Sequence, residues 1–407
     1  MVINGRWLNR PVTLSVKSNC LTVSVDGPSE ASVFSFDYAG RMWTALLDGI
    51  SYRRGLDGRM IAKWSLPGRQ RDRRWLDQTE ALTIEERARS ITADLYTAIV
   101  GVPGAAQMRE SLPPEAHIVF HAAISFDASR STQDAAMYHQ VYKPVGILPP
   151  DQYMAVVLQA TEGCSFNTCN FCTFFRDRSF RIRRPPEFKL HANAVRSFLG
   201  AGLSLRRTIF LGDANALVVP MPVLVPLMDV VHEVFDVDHL GGIYAFLDGF
   251  SGERKSLADY KILAERGLKR VYIGMESGSD ELLAFLNKPS KAGEVVRAVQ
   301  AMKAGGVAVG IIILLGAGGH TYAPGHVKAT IEALNAMPLD MDDIIYFSEL
   351  VADDSMEYTK SAYQSNLISL TAQERIAQGE EIQQALVFDE QRGTPHISRY
   401  DIREFIY

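Results

Sequence analysis

From residue 152 onward the sequence predicts an α/β fold built on a parallel sheet. Three observations carry this. Six short apolar runs alternate with helical patterns. Gly200, Gly267 and Gly305 stand where helix C-caps belong. A proline-rich break, residues 142–151, separates this half from a different pattern before it. Six βα units in a row give a partial (β/α)6 barrel, three-quarters of a TIM-type barrel. A three-layer doubly wound sheet is the structural rival, and periodicity alone leaves both open. The expected domains are 1–148 (α+β), 149–350 (partial barrel) and 351–407 (a C-terminal helical and strand extension).

The N-terminal part reads as β-structure first. Val12–Val16 and Leu21–Val25 alternate with period two around the break at Lys17–Asn19, which predicts a hairpin. Another strand is expected over Val33–Tyr38. Arg69, Arg71, Arg73 and Arg74 lie beside Trp64 and Trp75. Either they form a solvated loop partnered by Asp72 and Asp77, or they form a face for phosphate or RNA. Helices follow at Leu82–Val100, with Thr83 as expected N-cap, and at Thr132–Tyr142.

The barrel strands are expected at Tyr153–Gln159, Thr208–Leu211, Gly242–Leu247, Arg270–Gly274, Val307–Leu315 and Ile344–Phe347. Helices are expected around His191–Leu199, Met221–Phe235, Leu257–Arg266, Asp280–Phe285, Val295–Ala304 and His326–Ala336. In parallel α/β folds reactive groups gather at the C-terminal ends of the strands. Here those ends carry a cysteine loop, then Gly212, Asp213 and Asn215, then Asp248, then Glu276 and Ser277, then Gly316 and His320, and last Ser348 and Glu349. Six such endings in register point to one site. In the extension Thr371–Val387 reads as an amphipathic helix, with Thr371 and Glu374 as capping box. The last residues read as a strand or lid segment.

The cysteine loop, residues 159–175, reads QATEGCSFNTCNFCTFF. Cys164, Cys169 and Cys172 are spaced C-x4-C-x2-C, with no fourth cysteine nearby. Three thiolates on one loop can hold a metal and leave a position open for chemistry. Zinc would need a fourth ligand, for which His191 is the nearest downstream histidine, and structural zinc sites come as two spaced pairs. The second pair is absent, which favours a cubane iron–sulfur cluster held by three sulfurs.

Composition bounds the rest. The chain has 407 residues, 42 Lys plus Arg against 47 Asp plus Glu, and thus a formal charge of 42 − 47 = −5. That balance argues against a surface built to coat nucleic acid. Four cysteines, three on one loop, form no disulfide framework and suit a reducing cytosol; Cys20 reads as a buried small hydrophobe. Too few cysteines exist for a second cubane cluster, which argues against sulfur insertion. No signal-type N-terminus and no apolar run near the roughly 20 residues of a membrane span are seen. A cytoplasmic location is the expectation.

The loop resembles that of the radical S-adenosylmethionine (SAM) enzymes, whose signature is C-x3-C-x-aromatic-C. Phe171 takes the aromatic position, and one extra residue separates the first two cysteines. Residues 271–283, VYIGMESGSDELL, look like the fourth-strand motif of the branch with elongator-type, methylthiotransferase and coproporphyrinogen-oxidase members. The resemblance spans roughly residues 150–350. It implies a [4Fe–4S] cluster on Cys164, Cys169 and Cys172, whose free iron chelates SAM. One electron then splits SAM into methionine and a 5′-deoxyadenosyl radical that abstracts hydrogen from a substrate. It implies SAM contacts at Gly212 and at Asp213 or Asn215 (amino group), at Glu276 and Ser277, along strand five to Ile313, and at Phe171 beside adenine. A low-potential donor, flavodoxin or ferredoxin, is implied as partner.

Other readings stand beside this one. Asp213 serves equally as N-cap of the next helix, and Glu276 as a partner of Arg270. GAGG at 316–319 lacks the rest of a dinucleotide fingerprint. Arg176, Arg178 and Arg181, after the cysteines, fit SAM's carboxylate, an anionic substrate or a solvated loop. At the level of function the rivals are an RNA-modifying member of the same superfamily using the arginine clusters, and a non-catalytic iron–sulfur or zinc protein. The substrate, small molecule or RNA, is not legible.

Overall fold

A computed structural model describes residues 1–27, 30–66, 71–101, 104–252 and 254–407. They form two compact units: residues 1–144, 193–207 and 406–407, and residues 145–192 and 208–405.

In the first unit eight strands, from Val2–Trp7 to Arg71–Trp75, form an antiparallel meander in which each pairs with the next. Ala106–Met108 adds to the far side of Val2–Trp7. The expected hairpin is present, Val12 to Val16 opposite Val25 to Leu21. Its alternation has a physical purpose: Val12, Leu14, Val16, Leu21, Val23 and Val25 all face one core. Helices Gln78–Val100 and Pro114–Ile124 add Ala88, Leu95, Val119 and Phe120 to that core. The first of these helices begins a turn earlier than expected. Asp77, not Thr83, is the N-cap, and it closes a capping box with Glu80. The basic segment is a strand rather than a loop, paired with Met60–Ser65. Within it Arg74 makes two hydrogen bonds to Glu80, at 2.8 and 2.6 Å. Arg69 lies outside the described residues.

The second unit holds a seven-stranded parallel sheet. Strand one is Ala155–Gln159, two Thr208–Gly212, three Ile243–Phe246, four Leu268–Glu276, five Ala308–Leu315, six Ile344–Glu349 and seven His396–Tyr400. Each pairs in parallel with the next, in chain order. This order separates the two candidate architectures. A doubly wound sheet reverses direction at a switch point, and no reversal occurs here. Successive right-handed crossovers in one direction put every helix on one face and curl the sheet around the other, as in a partial barrel. The difference from the sequence reading is the seventh strand, contributed by the last residues and parallel to strand six.

Two helix boundaries are instructive. The helix after strand five runs Gly319–Asn335, so it starts before Pro324, which the sequence reading treated as lying ahead of the helix. At the turn before strand five the left-handed glycine is Gly306, φ 81°, rather than the C-cap Gly305. Asp151, just before strand one, ties the sheet together. It accepts from Tyr272 Oη, from Tyr346 Oη at 2.8 Å and from Arg270 Nη1 at 3.1 Å. Arg270 is therefore engaged with Asp151 and not with Glu276. Among the described residues no helix is long and apolar enough to cross a membrane.

Candidate active site at the cysteine loop

The cysteine loop is the connection of a short antiparallel pair, Thr161–Glu162 with Arg181–Ile182. Glu162 clamps its base, accepting from Arg181 Nε and Nη2 and from Arg183 Nη2, each at 2.8 Å. Further along, Arg176 donates to the carbonyls of Cys169 at 2.7 Å and Cys172 at 3.2 Å. Asn170 fastens the middle. Its side chain donates to Phe285 O at 2.7 Å, and its backbone N–H donates to Leu286 O at 3.2 Å. The extra residue between the first two cysteines is absorbed by a turn. Asn167 adopts φ 53°, a conformation asparagine tolerates, and its N–H points at Cys164 Sγ at 3.4 Å.

Asp213 is the other anchor. One carboxylate oxygen accepts from Gln159 Nε2 at 2.7 Å. The other accepts from Gly163 N at 3.0 Å and Arg178 Nη1 at 3.3 Å. Burial pushes its carboxyl up, against the hydrogen bonds from Gln159 and Gly163 and the charge of Arg178. The next regular helix is capped by Pro220, so Asp213 is no helix cap. Its peptide with Gly212 is cis. Asn215 differs from Asp213. It is 1% exposed, donates to Ser165 Oγ at 3.1 Å, and leaves its carbonyl oxygen without a hydrogen-bond partner. Ser165 in turn meets Asp248 at 3.4 Å.

Cys164, Cys169 and Cys172 line one cavity of about 200 Å³. Phe171 and Glu276 line it too, whereas Gly212, Asp213, Asn215, Ser277 and Ile313 are not among its lining residues. Strand five instead offers Ile312 and Leu314, and the stretch after strand two offers Ala214. Ser348 and Glu349 from strand six and Tyr400 from strand seven complete the wall. Glu276 sits at a bulge with φ 62°, and its carboxylate folds back over Gly274. A Cβ at 274 would lie 2.3 Å from Glu276 Oε1, so a side chain there would push the carboxylate off its place beside Lys288. Ser277 is fully buried and pairs with His326 Nδ1 at 2.8 Å.

Sequence reasoning missed Lys288. It lines the cavity, and its ammonium meets Glu276 Oε1 at 3.1 Å with both side chains about nine-tenths buried. Burial pulls the ammonium down. Glu276, and after it Cys169, more than offset this, so Lys288 stays protonated above its usual range. The signal in the sequence was a lone lysine 12 residues beyond Glu276, with nothing local to mark it. His320 is half-exposed against Glu374, 3.5 Å away, and takes no part in the cavity.

The residues present fit a cluster held by three sulfurs: Cys164, Cys169 and Cys172 face one cavity, and among the described residues neither a fourth cysteine nor a histidine lines it. His191, the candidate fourth ligand for zinc, accepts the Gln159 N–H on its Nε2 at 3.0 Å and is buried. Burial pushes the Cys169 thiol up to about 11, against the nearby Lys288 charge, and it raises Cys172 as well. Thiols held neutral in this way release protons on binding iron.

No curated protein matches the chain by sequence. Among solved structures the chain is similar to coproporphyrinogen III oxidase (HemN) from Escherichia coli, described as a radical SAM enzyme. Identity is 15%, over 55% of this chain and 51% of that one, with a TM-score of 0.40. It is similar to the cobalamin-dependent S-adenosylmethionine radical enzyme OxsB with aqua-cobalamin and S-adenosylmethionine bound, at 15% identity over 56% of this chain and 30% of that one, TM-score 0.37. SuiB of Streptococcus suis is matched at 11% identity over 87% of this chain and 72% of that one, TM-score 0.39. The chain thus spans about a third of OxsB and half of HemN, and the substrates of these proteins stay theirs. The family model of the radical SAM superfamily matches residues 158–333, which run from the end of strand one, through the cysteine loop, to the helix after strand five. Residues 158–333 are a radical SAM superfamily domain.

Proposed function

We propose that the chain is a radical SAM enzyme with one [4Fe–4S] cluster on Cys164, Cys169 and Cys172, acting on a substrate by hydrogen abstraction. The observation that carries this is three cysteines of one pinned loop lining the same cavity as Glu276 and Lys288, at the C-terminal ends of a parallel sheet. When bound, the cluster and SAM supply the one-electron cleavage that yields methionine and a 5′-deoxyadenosyl radical.

The chain's own residues position and shield. Asp213, Arg176 and Asn170 fix the loop, so that three sulfurs are presented together. Asn215 keeps a buried carbonyl oxygen free, which suits it better than the fully engaged Asp213 to accept from SAM's ammonium. Glu276 and Lys288 form a desolvated pair beside Cys169 that can orient a polar group of the cofactor. Phe171 and Ile312 offer apolar walls for adenine. Gly212 brings backbone close, Ser277, held by His326, fixes the chain just after Glu276, and Ile313 backs the apolar wall. A low-potential electron donor of flavodoxin or ferredoxin type completes the system.

The RNA-modifying reading is less well supported. Arg74, Arg176, Arg178 and Arg181 all have intramolecular partners. The test is iron and sulfide content after anaerobic reconstitution of single cysteine variants. Cys164→Ala, Cys169→Ala and Cys172→Ala should each lose most of the iron, and Cys20→Ala should keep it. Iron retained in all three loop variants would remove the assignment.

A further inference from the structure

We infer that the substrate is a largely apolar molecule, and neither a nucleic acid nor a phosphorylated compound; this rests on the radical SAM reading above. The cavity that the three cysteines line is also the one a substrate must reach to meet the radical. Away from the cysteines its wall is built by Leu148, Phe174, Phe246, Leu350, Val351 and Ile402. These come from the segment before strand one, the cysteine loop, strand three and the stretches after strands six and seven, so the apolar lining reaches both edges of the open barrel. An apolar body held there presents C–H bonds, the kind of bond a carbon radical attacks.

Charge argues the same way. Lys288 is the cation of the lining, and Glu276 neutralises it at 3.1 Å. A phosphate entering this cavity would lose its hydration and find no free counter-charge, which is strongly unfavourable. The nearest arginines are turned to the loop itself: Arg176 to two carbonyls, Arg178 to Asp177 and Asp213. What the wall does offer is a limited hydrogen-bonding group. Tyr400 lies beside Ser348 across strands six and seven, and next to it Glu349 is held by Arg375 at 2.8 Å. That suits one or two polar atoms on an otherwise apolar molecule.

The test uses anaerobically reconstituted full-length protein, with indole as probe and a single-stranded RNA oligonucleotide as the rival class, both read by equilibrium dialysis. Indole should bind saturably, and the RNA should not displace it. Val351→Arg places a charge in the apolar wall, and Val351→Phe fills the space without one. Each should weaken indole binding about tenfold or more. Val351 is half-exposed on a loop, and if the charged variant does not fold, the phenylalanine variant decides. Equal indole binding by the parent and Val351→Phe, or displacement of indole by RNA, would overturn the inference. The same preparation is assayed for 5′-deoxyadenosine after reduction with SAM. Nucleoside formed while the indole arm fails overturns the substrate class alone, and no nucleoside overturns the reading beneath it.

Discussion

Asp213→Ala separates two roles for the most heavily engaged carboxylate of the site. Its side chain is 2% exposed and takes hydrogen bonds from Gln159 Nε2, Gly163 N and Arg178 Nη1. Breaking a fully buried ion pair costs about 3–5 kcal/mol. Arg178 keeps Asp177 at 2.9 Å, so its share is discounted to roughly 1 kcal/mol. The two neutral donors left without a partner add about 1 kcal/mol each. The sum, about 3 kcal/mol, corresponds to a roughly 10²-fold larger open population of the cysteine loop. Hydrogen exchange of the backbone amides of residues 160–183 reads this directly. They should exchange about 10²-fold faster, and iron uptake on reconstitution should fall with them. Asp213→Asn should lose less, because its oxygen can keep Gly163 and Arg178 while its NH2 faces one donor, Gln159 Nε2. If exchange and iron content are unchanged while SAM affinity drops, Asp213 serves the ligand and not the loop, and the account of the anchor is wrong.

Other consequences follow from the same geometry. Lys288→Met leaves the Glu276 carboxylate buried without its partner and should cost about 3–5 kcal/mol; pairing it with Glu276→Gln should restore most of the thermal midpoint but not SAM cleavage, and recovered cleavage would make the pair purely structural. Asp151→Ala strips the shared acceptor of Tyr272, Tyr346 and Arg270. A loss of about 2 kcal/mol is expected, seen as a midpoint lower by roughly 4–8 °C by calorimetry. Burial lowers His326 to about 4, below its unfolded value near 6.5. The unfolded chain therefore binds the extra proton, and stability should fall as the pH drops from 6.5 toward 4, by about 3 kcal/mol in all. Denaturant titrations of the parent and His326→Gln across that range should differ in slope, and parallel curves would show that His326 is not neutral when folded.

Much of the fold was legible because its signals are local. Strand one, helix Met221–Val234 and strand six were bounded to within two residues by apolar runs between glycines and prolines. The Thr371–Glu374 capping box was readable for the same reason, since both partners lie in one turn. Errors arose where a distant or less obvious partner decided. Arg71–Trp75 is a strand because Met60–Ser65 pairs with it, which its own charged sequence does not advertise. Helix Pro114–Ile124 was missed because it opens on two prolines, Pro113 as its N-cap and Pro114 as its first residue. The site divides similarly. The three cysteines, Phe171 and Glu276 were visible as a pattern, and they meet at one cavity. That Asp213 spends both oxygens on Gln159, Gly163 and Arg178, while Asn215 keeps one free, depends on contacts between segments about 50 residues apart, and no spacing rule encodes it. Lys288 was hidden for that reason too: its meaning comes from the bulge that turns Glu276 toward it.

Product analysis after reduction tests the central claim most directly. Full-length protein reconstituted without oxygen, given SAM and then dithionite, should carry about four iron atoms per chain and release 5′-deoxyadenosine with methionine. Protein that carries zinc instead, or carries the iron yet releases no 5′-deoxyadenosine, would contradict the assignment.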